Sequence, residues 1–294
     1  MNDRTERLGI GRRIGSAILG MGRAIVETYR LGGRAVRAAP LILAIAVVPE
    51  FLQHIAEIHL GMFVSIEQFR ALANDPLRWG FGYAKVAGFV IAILAVARFW
   101  SVGSVRRTLL VPPMTIVRVV AGLVVGLAAA WPFMWLGKQG ISPAINVPLQ
   151  IVSTVIQGGF WIYVVGALIE DPLVTPRRAM TSLLPAGIVL SVLAAVAFGP
   201  AQALHMANHK LAMGQPLPIV WALMAFDALW VGLFAALVGS AMFVGVRTGL
   251  TWHRWTVHPR DPDATVEEPT YRTGLPNHPG EGRGPIGKAM MIAD

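Results

Sequence analysis

Six long apolar stretches constrain the fold of this chain more than any other feature of its sequence. Each is close to the roughly 20 residues that a helix needs to cross a hydrocarbon core of about 30 Å. Hydrophobic residues make up 55% of the 294 residues and charged residues 14%, whereas soluble domains carry about 25% charge. The sequence therefore predicts an all-α integral membrane protein, a six-transmembrane-helix bundle with spans at 41–60, 84–103, 119–137, 148–169, 184–204 and 218–246.

The lysines and arginines predict which way these spans face. If the six spans alternate in direction, 20 of the 25 Lys and Arg residues fall on the side that also holds both termini. Because cytoplasmic loops carry the excess of Lys and Arg, we expect an N-in/C-in arrangement with both termini cytoplasmic. No apolar signal-peptide core precedes the first span, so we expect that span to remain as an anchor. We expect the membrane to be the bacterial inner membrane.

The N-terminal 38 residues predict a helix at the membrane surface. Apolar residues between Ile10 and Tyr29 recur at three- and four-residue spacing and so form one helical stripe. The opposite side carries arginines, namely Arg12, Arg23, Arg30, Arg34 and Arg37. Such an amphipathic cytoplasmic interfacial helix binds anionic lipid headgroups. A docking helix for a partner protein or nucleic acid is the alternative, but arginines beside a first span already have a topological role, and we expect no nucleic acid.

Composition divides the chain into three segments. Residues 1–38 form the basic helix, and residues 39–250 form the six-helix transmembrane domain. Residues 251–294 are rich in Pro, Gly and charge, and they cannot bury enough apolar surface to offset the entropy of ordering. We therefore predict a flexible cytoplasmic tail. The sequence has no cysteine, which excludes disulfides and thiolate metal ligands.

Ionisable residues inside the first span raise the question of function. On a helical wheel His54 and Glu57 lie within about 40° of Glu50, so the three share one stripe. Glu50, Gln157 in the fourth span and Asp227 in the sixth all fall near the predicted midplane. Residues this costly in lipid should face one another or a water-filled cavity. We therefore predict that the first, fourth and sixth spans meet there, either as a proton or ion site or as a helix contact.

A second polar group lies near the end of the fifth span. His205 and His209 have i, i+4 spacing, which places both on one helical face and can chelate a metal ion. His54 or Glu57 could complete the shell if the first span is adjacent. A haem held between His54 and His205 is a further alternative. No motif requires either group, so we predict no cofactor and keep metal and haem as alternatives.

Motifs of the common enzyme classes are missing from the sequence. It contains no nucleophile elbow, no P-loop and no H-E-x-x-H zinc motif, and the connections between spans are short. An intramembrane hydrolase that uses His and Glu is the remaining catalytic alternative. The short loops, the basic helix and the tail favour a non-catalytic accessory or organising protein, which binds lipid, a membrane-protein partner or a second copy of itself.

The midplane acidic residues favour a different class, a small proton- or cation-coupled transporter. Helix-breaking residues would interrupt the spans of such a protein near its binding site, and the candidates are Pro49, Gly158, Gly159, Gly199 and Pro200. A metal- or haem-binding membrane protein is the third alternative.

Overall fold

The computed structural model describes residues 3–257, and the side chains of residues 15–251. Most of this part is helical, and none of it is strand. Six of its helices are long and apolar enough to span a membrane: α2 (Pro40–His59), α4 (Pro76–Val102), α6 (Pro113–Gly137), α7 (Pro143–Leu168), α9 (Leu184–Ala212) and α10 (Leu217–Val257). The others are α1 (Asp3–Ala38), α3 (Ile66–Ala71), α5 (Val105–Leu109) and α8 (Pro176–Ala179). The chain is an all-α, multi-pass membrane protein, as the sequence predicts.

Prolines mark where the spanning helices begin. α2, α4, α6 and α7 have proline as their first residue, and α9 and α10 have it as their second. Proline fits there because the first N–H groups of a helix have no intrahelical partner. Asp75 adds a side-chain cap to α4, accepting a hydrogen bond from the N–H of Leu77 at 2.9 Å. α4 therefore begins at Pro76, not at residue 84, where the apolar stretch begins.

α10 is the central helix of the bundle. In its most apolar stretch 83% of the residues are buried, whereas in the corresponding stretch of α6 only 17% are. α10 follows α9 after a connection of residues 213–216 and packs along it, while α2 and α4 cover other faces of α10. α7 packs on α9, and α6 packs mainly on α7 at the periphery. The bundle therefore brings α2, α4, α9 and α10 together around one centre.

The spans that were predicted to be interrupted are continuous helices. α2 runs through Pro49, α7 through Gly158 and Gly159, and α9 through Gly199 and Pro200. The predicted breaks near a binding site were therefore wrong. The physical reason is that hydrogen bonds and packing on either side of each residue keep the helix intact.

Two of these residues serve the packing of helices instead. Gly158 of α7 faces Gly187 of α9, so closely that a Cβ on either would collide with the backbone of the other. Pro49 has no N–H to donate to the carbonyl of Ile45, and Gly88 of α4 lies against that carbonyl. Small residues thus allow close helix contact at both places, as is common in membrane bundles.

α1 packs against the C-terminal half of α10. Glu27 forms an ion pair with Arg247, and the hydroxyl of Tyr29 donates a hydrogen bond to the carbonyl of Val196 in α9 at 2.8 Å. The buried residues of α1 recur at three- and four-residue spacing, and they are Ala24, Thr28, Leu31, Gly32 and Ala35. α1 therefore belongs to the bundle in its second half.

The buried face of α1 differs from the apolar stripe predicted for it. Ile18 is 66% exposed and Tyr29 is 38% exposed, whereas Met21 and Ile25 of the same stripe are partly buried against the core. Of the arginines predicted to contact lipid, Arg23, Arg30 and Arg37 are exposed and Arg34 is half-buried. The side chain of Arg12 lies outside the described residues, and a position of α1 in the lipid interface stays a prediction.

α10 ends later than the last apolar stretch. It is helical to Val257, seven residues into the segment 251–294 that was predicted as a tail. The rest of the predicted flexible tail, from residue 258, lies outside the described residues.

Candidate functional site

Three histidines and three carboxylates come together where α2, α9 and α10 meet. α2 contributes Glu50, His54 and Glu57, α9 contributes His205 and His209, and α10 contributes Asp227. We call these six residues the His–carboxylate cluster. Glu50, His54, Glu57 and Asp227 are fully buried. Groups of this kind are rarely buried in a membrane domain unless they are paired or have a function.

Helical periodicity explains why α2 contributes three members. His54 lies one turn from each carboxylate, with Nε2 3.2 Å from Glu50 Oε1 and Nδ1 3.2 Å from Glu57 Oε2. Gln53 is also buried and donates from Nε2 to Glu57 Oε1 at 2.8 Å. The three ionisable residues predicted to share a stripe thus lie on the face of α2 that points into the bundle.

Asp227 is the point where three histidines converge. Its Oδ2 lies 3.2 Å from His54 Nε2, 2.7 Å from His205 Nδ1 and 3.6 Å from His209 Nε2. Its Oδ1 accepts a hydrogen bond from Asn208 Nδ2 at 2.7 Å. One carboxylate therefore joins the first, fifth and sixth spans.

α4 adds two cations to the edge of the cluster. Lys85 Nζ lies 2.7 Å from Glu50 Oε1, and Arg78 Nε lies 3.2 Å from Glu57 Oε1. Arg78 also donates from Nη1 to the carbonyl of Ala73 at 2.8 Å. Sequence reasoning missed both cations because it began the second span at residue 84, which left Arg78 outside the membrane and Lys85 at its outer edge. Arg78 and Lys85 are seven residues apart, as are Glu50 and Glu57, and this equal spacing could have predicted that they pair.

Gln157 does not join the cluster. Its Nε2 donates to the carbonyl of Gly126 in α6 at 3.1 Å, so it faces the peripheral side of α7. Gly158, about 100° further around α7, lies against Gly187 of α9 instead. The first and sixth spans meet as expected, but the helices that join them at the cluster are the second and the fifth.

The fixed charges of the cluster do not cancel. Its three carboxylates are balanced by the two cations of α4, so one negative charge is unmatched while the histidines are neutral. Burying an unmatched charge is costly, and a proton on a histidine or a bound cation would remove the imbalance. Both ring nitrogens of His54 face carboxylate oxygens, whereas a neutral imidazole has a single N–H to donate.

Several buried atoms of the cluster region have no hydrogen-bond partner among the described residues. They include Glu50 Oε2, Gln53 Oε1 and His209 Nε2. Most buried polar atoms in proteins are paired with protein or water. Unpaired acceptors beside several histidines are therefore available to a further positively charged or donating group.

The cluster contains two overlapping sets of metal-ligand atoms. In each set, one ligand atom per residue lies within 4.8 Å of the others. The first set is Glu50, His205, His209 and Asp227. The second set is His54, Glu57 and His209. A haem between His54 and His205 does not fit this arrangement. Its plane would have to lie between the two imidazoles, where Asp227 Oδ2 already contacts both rings.

A small cavity lies beside the cluster at the end of the bundle where α2 ends and α10 begins. Its volume is about 200 Å³, and its walls include Ile58, Phe63, Val64 and Val220. The ring of Phe63 also lies 5.9 Å from the ring of His209. Phe63 therefore separates this cavity from the His–carboxylate cluster.

Comparison with known proteins adds no assignment: the chain matches no protein-family model, no curated protein and no solved structure. Any inference about its function therefore starts from the geometry of the cluster.

Proposed function

We propose that this protein moves a cation across the membrane and that the His–carboxylate cluster is the binding site on the route. The observation that carries the proposal is the burial of three carboxylates and two histidines, with a third histidine half-buried beside them, inside a six-helix membrane domain; one negative charge is unmatched while the histidines are neutral. Ionisable groups inside membrane spans are costly, and they commonly mark ion pathways and proton relays.

The depth of the cluster supports a route rather than a surface site. At about 1.5 Å per residue, Glu50 lies roughly 14 Å from the end of α2 and Asp227 roughly 15 Å from the start of α10. Glu57 and Arg78 lie close to that same end of the bundle. Successive contacts of 3.2 Å from Arg78 to Glu57, His54 and Asp227 connect the end of the bundle with its middle.

Within the part of the chain that the structure describes, a cavity approaches the cluster at one end of the bundle, and Phe63 separates the two. The side chains of Arg78 and Lys85 are 23% and 21% exposed, and the cavity next to Phe63 lies at the same end. Toward the other end the buried residues of α10 are apolar, for example Phe234 and Val238, except for Ser240, whose hydroxyl accepts a hydrogen bond from Trp100. Transport therefore requires a second conformation in which the cluster opens to the opposite side, as in other transporters with a midplane site.

The orientation of the chain is part of the proposal. In a six-span arrangement 20 of the 25 Lys and Arg residues lie on the side of the termini, which the positive-inside rule assigns to the cytoplasm. The end of the bundle that holds the cavity then faces the outside of a bacterial inner membrane. The exposed arginines of α1 would contact anionic headgroups on the cytoplasmic side.

An accessory role, which the short loops and the basic helix favour, stays a prediction. A polar network that only held helices together would gain most if all its buried atoms were paired. Here Glu50 Oε2 and His209 Nε2 lack hydrogen-bond partners among the described residues. This difference is why we place cation transport before helix association.

Flux measurements in liposomes test the proposal. The full-length protein is reconstituted, and the entry of H⁺, Na⁺, K⁺, Mn²⁺ and Zn²⁺ is followed separately with internal dyes. We expect flux of at least one cation, and a loss of at least about tenfold in Asp227→Asn, which removes the charge at nearly constant volume. Glu67→Gln is the control, because Glu67 is an exposed carboxylate of α3. Flux absent from the wild type, or unchanged in Asp227→Asn, would overturn the proposal.

A further inference from the structure

We infer that the cation of the His–carboxylate cluster is a divalent transition-metal ion held by Glu50, His205, His209 and Asp227. The inference rests on the proposed function and names the class of its substrate. It starts from four side chains whose ligand atoms lie within 4.8 Å of one another.

The chemistry of the donors selects the class of ion. Two of the four ligands are imidazoles, which suit zinc, iron, nickel and copper, whereas calcium and magnesium are held by oxygen ligands alone. Carboxylates complete the set and extend it to manganese. The sequence has no cysteine, so soft thiolate sites are excluded. A mixed nitrogen and oxygen site therefore favours a divalent first-row transition metal over alkali and alkaline-earth ions.

The distances between donors suit a small ion. Metal–ligand bonds of 2.0–2.1 Å in a tetrahedral zinc site place neighbouring ligand atoms about 3.3 Å apart. Asp227 Oδ2 lies 2.7 Å from His205 Nδ1 and 3.6 Å from His209 Nε2, values that fall on either side of that spacing. The i, i+4 spacing of the two histidines holds both rings on one face of α9.

Open atoms point to a ligand at this place. Glu50 is fully buried, and its Oε2 has no hydrogen-bond partner among the described residues. His209 Nε2 is likewise without one. A carboxylate oxygen and an imidazole nitrogen with free lone pairs are what a metal ion requires of its ligands.

Neighbouring side chains already orient two of the ligands. Asn208 Nδ2 holds Oδ1 of Asp227 at 2.7 Å and leaves Oδ2 toward the histidines. Lys85 Nζ holds Oε1 of Glu50 at 2.7 Å and leaves Oε2 unpaired. Such outer contacts fix the ligands of metal sites and strengthen binding.

A second set of ligands lies next to the first. His54, Glu57 and His209 offer atoms within 4.8 Å of one another, and His209 belongs to both sets. Glu57 is the member closest to the end of α2. An ion that moves from the first set toward that end would therefore keep His209 while it exchanges the other ligands.

Metal titration of the full-length protein in detergent, stripped with a chelator, tests this inference. Co²⁺ is added first, because its visible absorption reports nitrogen and oxygen ligation, and Zn²⁺ is then used as a competitor. We expect saturable binding of Co²⁺ that Zn²⁺ displaces. His205→Gln and His209→Gln should each weaken Zn²⁺ binding at least tenfold. His59→Gln is the matched control, because His59 is an exposed histidine of α2.

The outcomes separate this inference from the proposed function. If the folded wild type binds neither Co²⁺ nor Zn²⁺, or if both histidine variants bind like the control, the metal site is overturned. The proposed function then stands if the same preparation still shows H⁺ or Na⁺ flux that depends on Asp227. Zn²⁺ binding that requires His209, without flux of any cation, supports the metal site and overturns transport. We expect the His209→Gln variant to fold, because Nε2 of His209 makes no hydrogen bond to a described residue that the substitution would remove.

Discussion

Lys85 Nζ of α4 lies 2.7 Å from Oε1 of Glu50 on α2, deep in the membrane domain. Two helical turns along the same helices, Arg78 Nε lies 3.2 Å from Oε1 of Glu57. The two ion pairs fix the register of α2 against α4 and balance two of the three carboxylates of the cluster. They leave Asp227 to the histidines, and so they determine where a further positive charge is needed.

Replacing Lys85 tests the first of these pairs. Lys85→Met keeps the length of the side chain but leaves the buried Glu50 carboxylate without its cation, which should cost about 3–5 kcal/mol of stability. The measurement is reversible unfolding in mixed detergent micelles. The double variant Lys85→Met/Glu50→Gln should recover part of the loss, because the Glu50 side chain is then neutral and no longer needs the lysine. Lys138→Met, at an exposed lysine after α6, is the control, and an equal loss there would contradict the buried ion pair.

Close contact between α7 and α9 at Gly158 and Gly187 leads to a second prediction. Gly187→Val places a side chain where the backbone of Gly158 lies, so α7 and α9 must separate, at a cost of about 1–3 kcal/mol or more. Gly199→Ala is the matched control on the same helix, because a Cβ there meets no described atom within 4 Å. The same unfolding measurement checks both variants, and a stable Gly187→Val protein would show that the two helices do not cross closely.

The α2–α4 pairing could have been predicted from the sequence. Glu50 and Glu57 are seven residues apart, and so are Arg78 and Lys85. Two turns of helix return to the same face, and in antiparallel helices a contact of Glu57 with Arg78 implies one of Glu50 with Lys85. Asp75 followed by proline is a recognisable helix start. Hydropathy alone placed that start too late.

The rest of the site has one part that follows from a short connection between helices and one part that depends on a long-range contact. His205 and Asp227 lie on helices joined by a short connection, so their neighbourhood follows from an antiparallel hairpin. The rotation of α7, by contrast, depends on Gly158 meeting Gly187, a long-range contact. Gln157 is polar and lies at the same predicted depth in the membrane as Glu50 and Asp227. Neither property determines which neighbouring helix a side chain faces. Depth was therefore a good guide to which residues are unusual and a poor guide to their partners.

Arg98 of α4 gives a prediction at the other end of the bundle. It is buried, and its guanidinium donates to the carbonyl of Leu168 at the end of α7 and to Glu170 Oε1. Arg98→Leu should lower stability by about 1–3 kcal/mol, since the buried carbonyl loses its donor. Glu170→Gln should cost less than about 1 kcal/mol, since the Glu170 side chain is half-exposed and such pairs contribute little. Equal losses in the two variants would show that the ion pair, not the carbonyl, is what Arg98 stabilises.

Phe63 provides the last prediction, because it lies between the cavity at the end of the bundle and His209. Phe63→Leu shortens this barrier without touching the ligand set, so the association and dissociation rates of Zn²⁺ should rise together while the equilibrium affinity changes by less than about twofold. Stopped-flow competition with a fluorescent chelator measures both rates. Val64→Ala is the control, since Val64 lines the same cavity and is largely exposed. A weaker affinity with unchanged association would instead mean that the ring of Phe63 holds His209 in place.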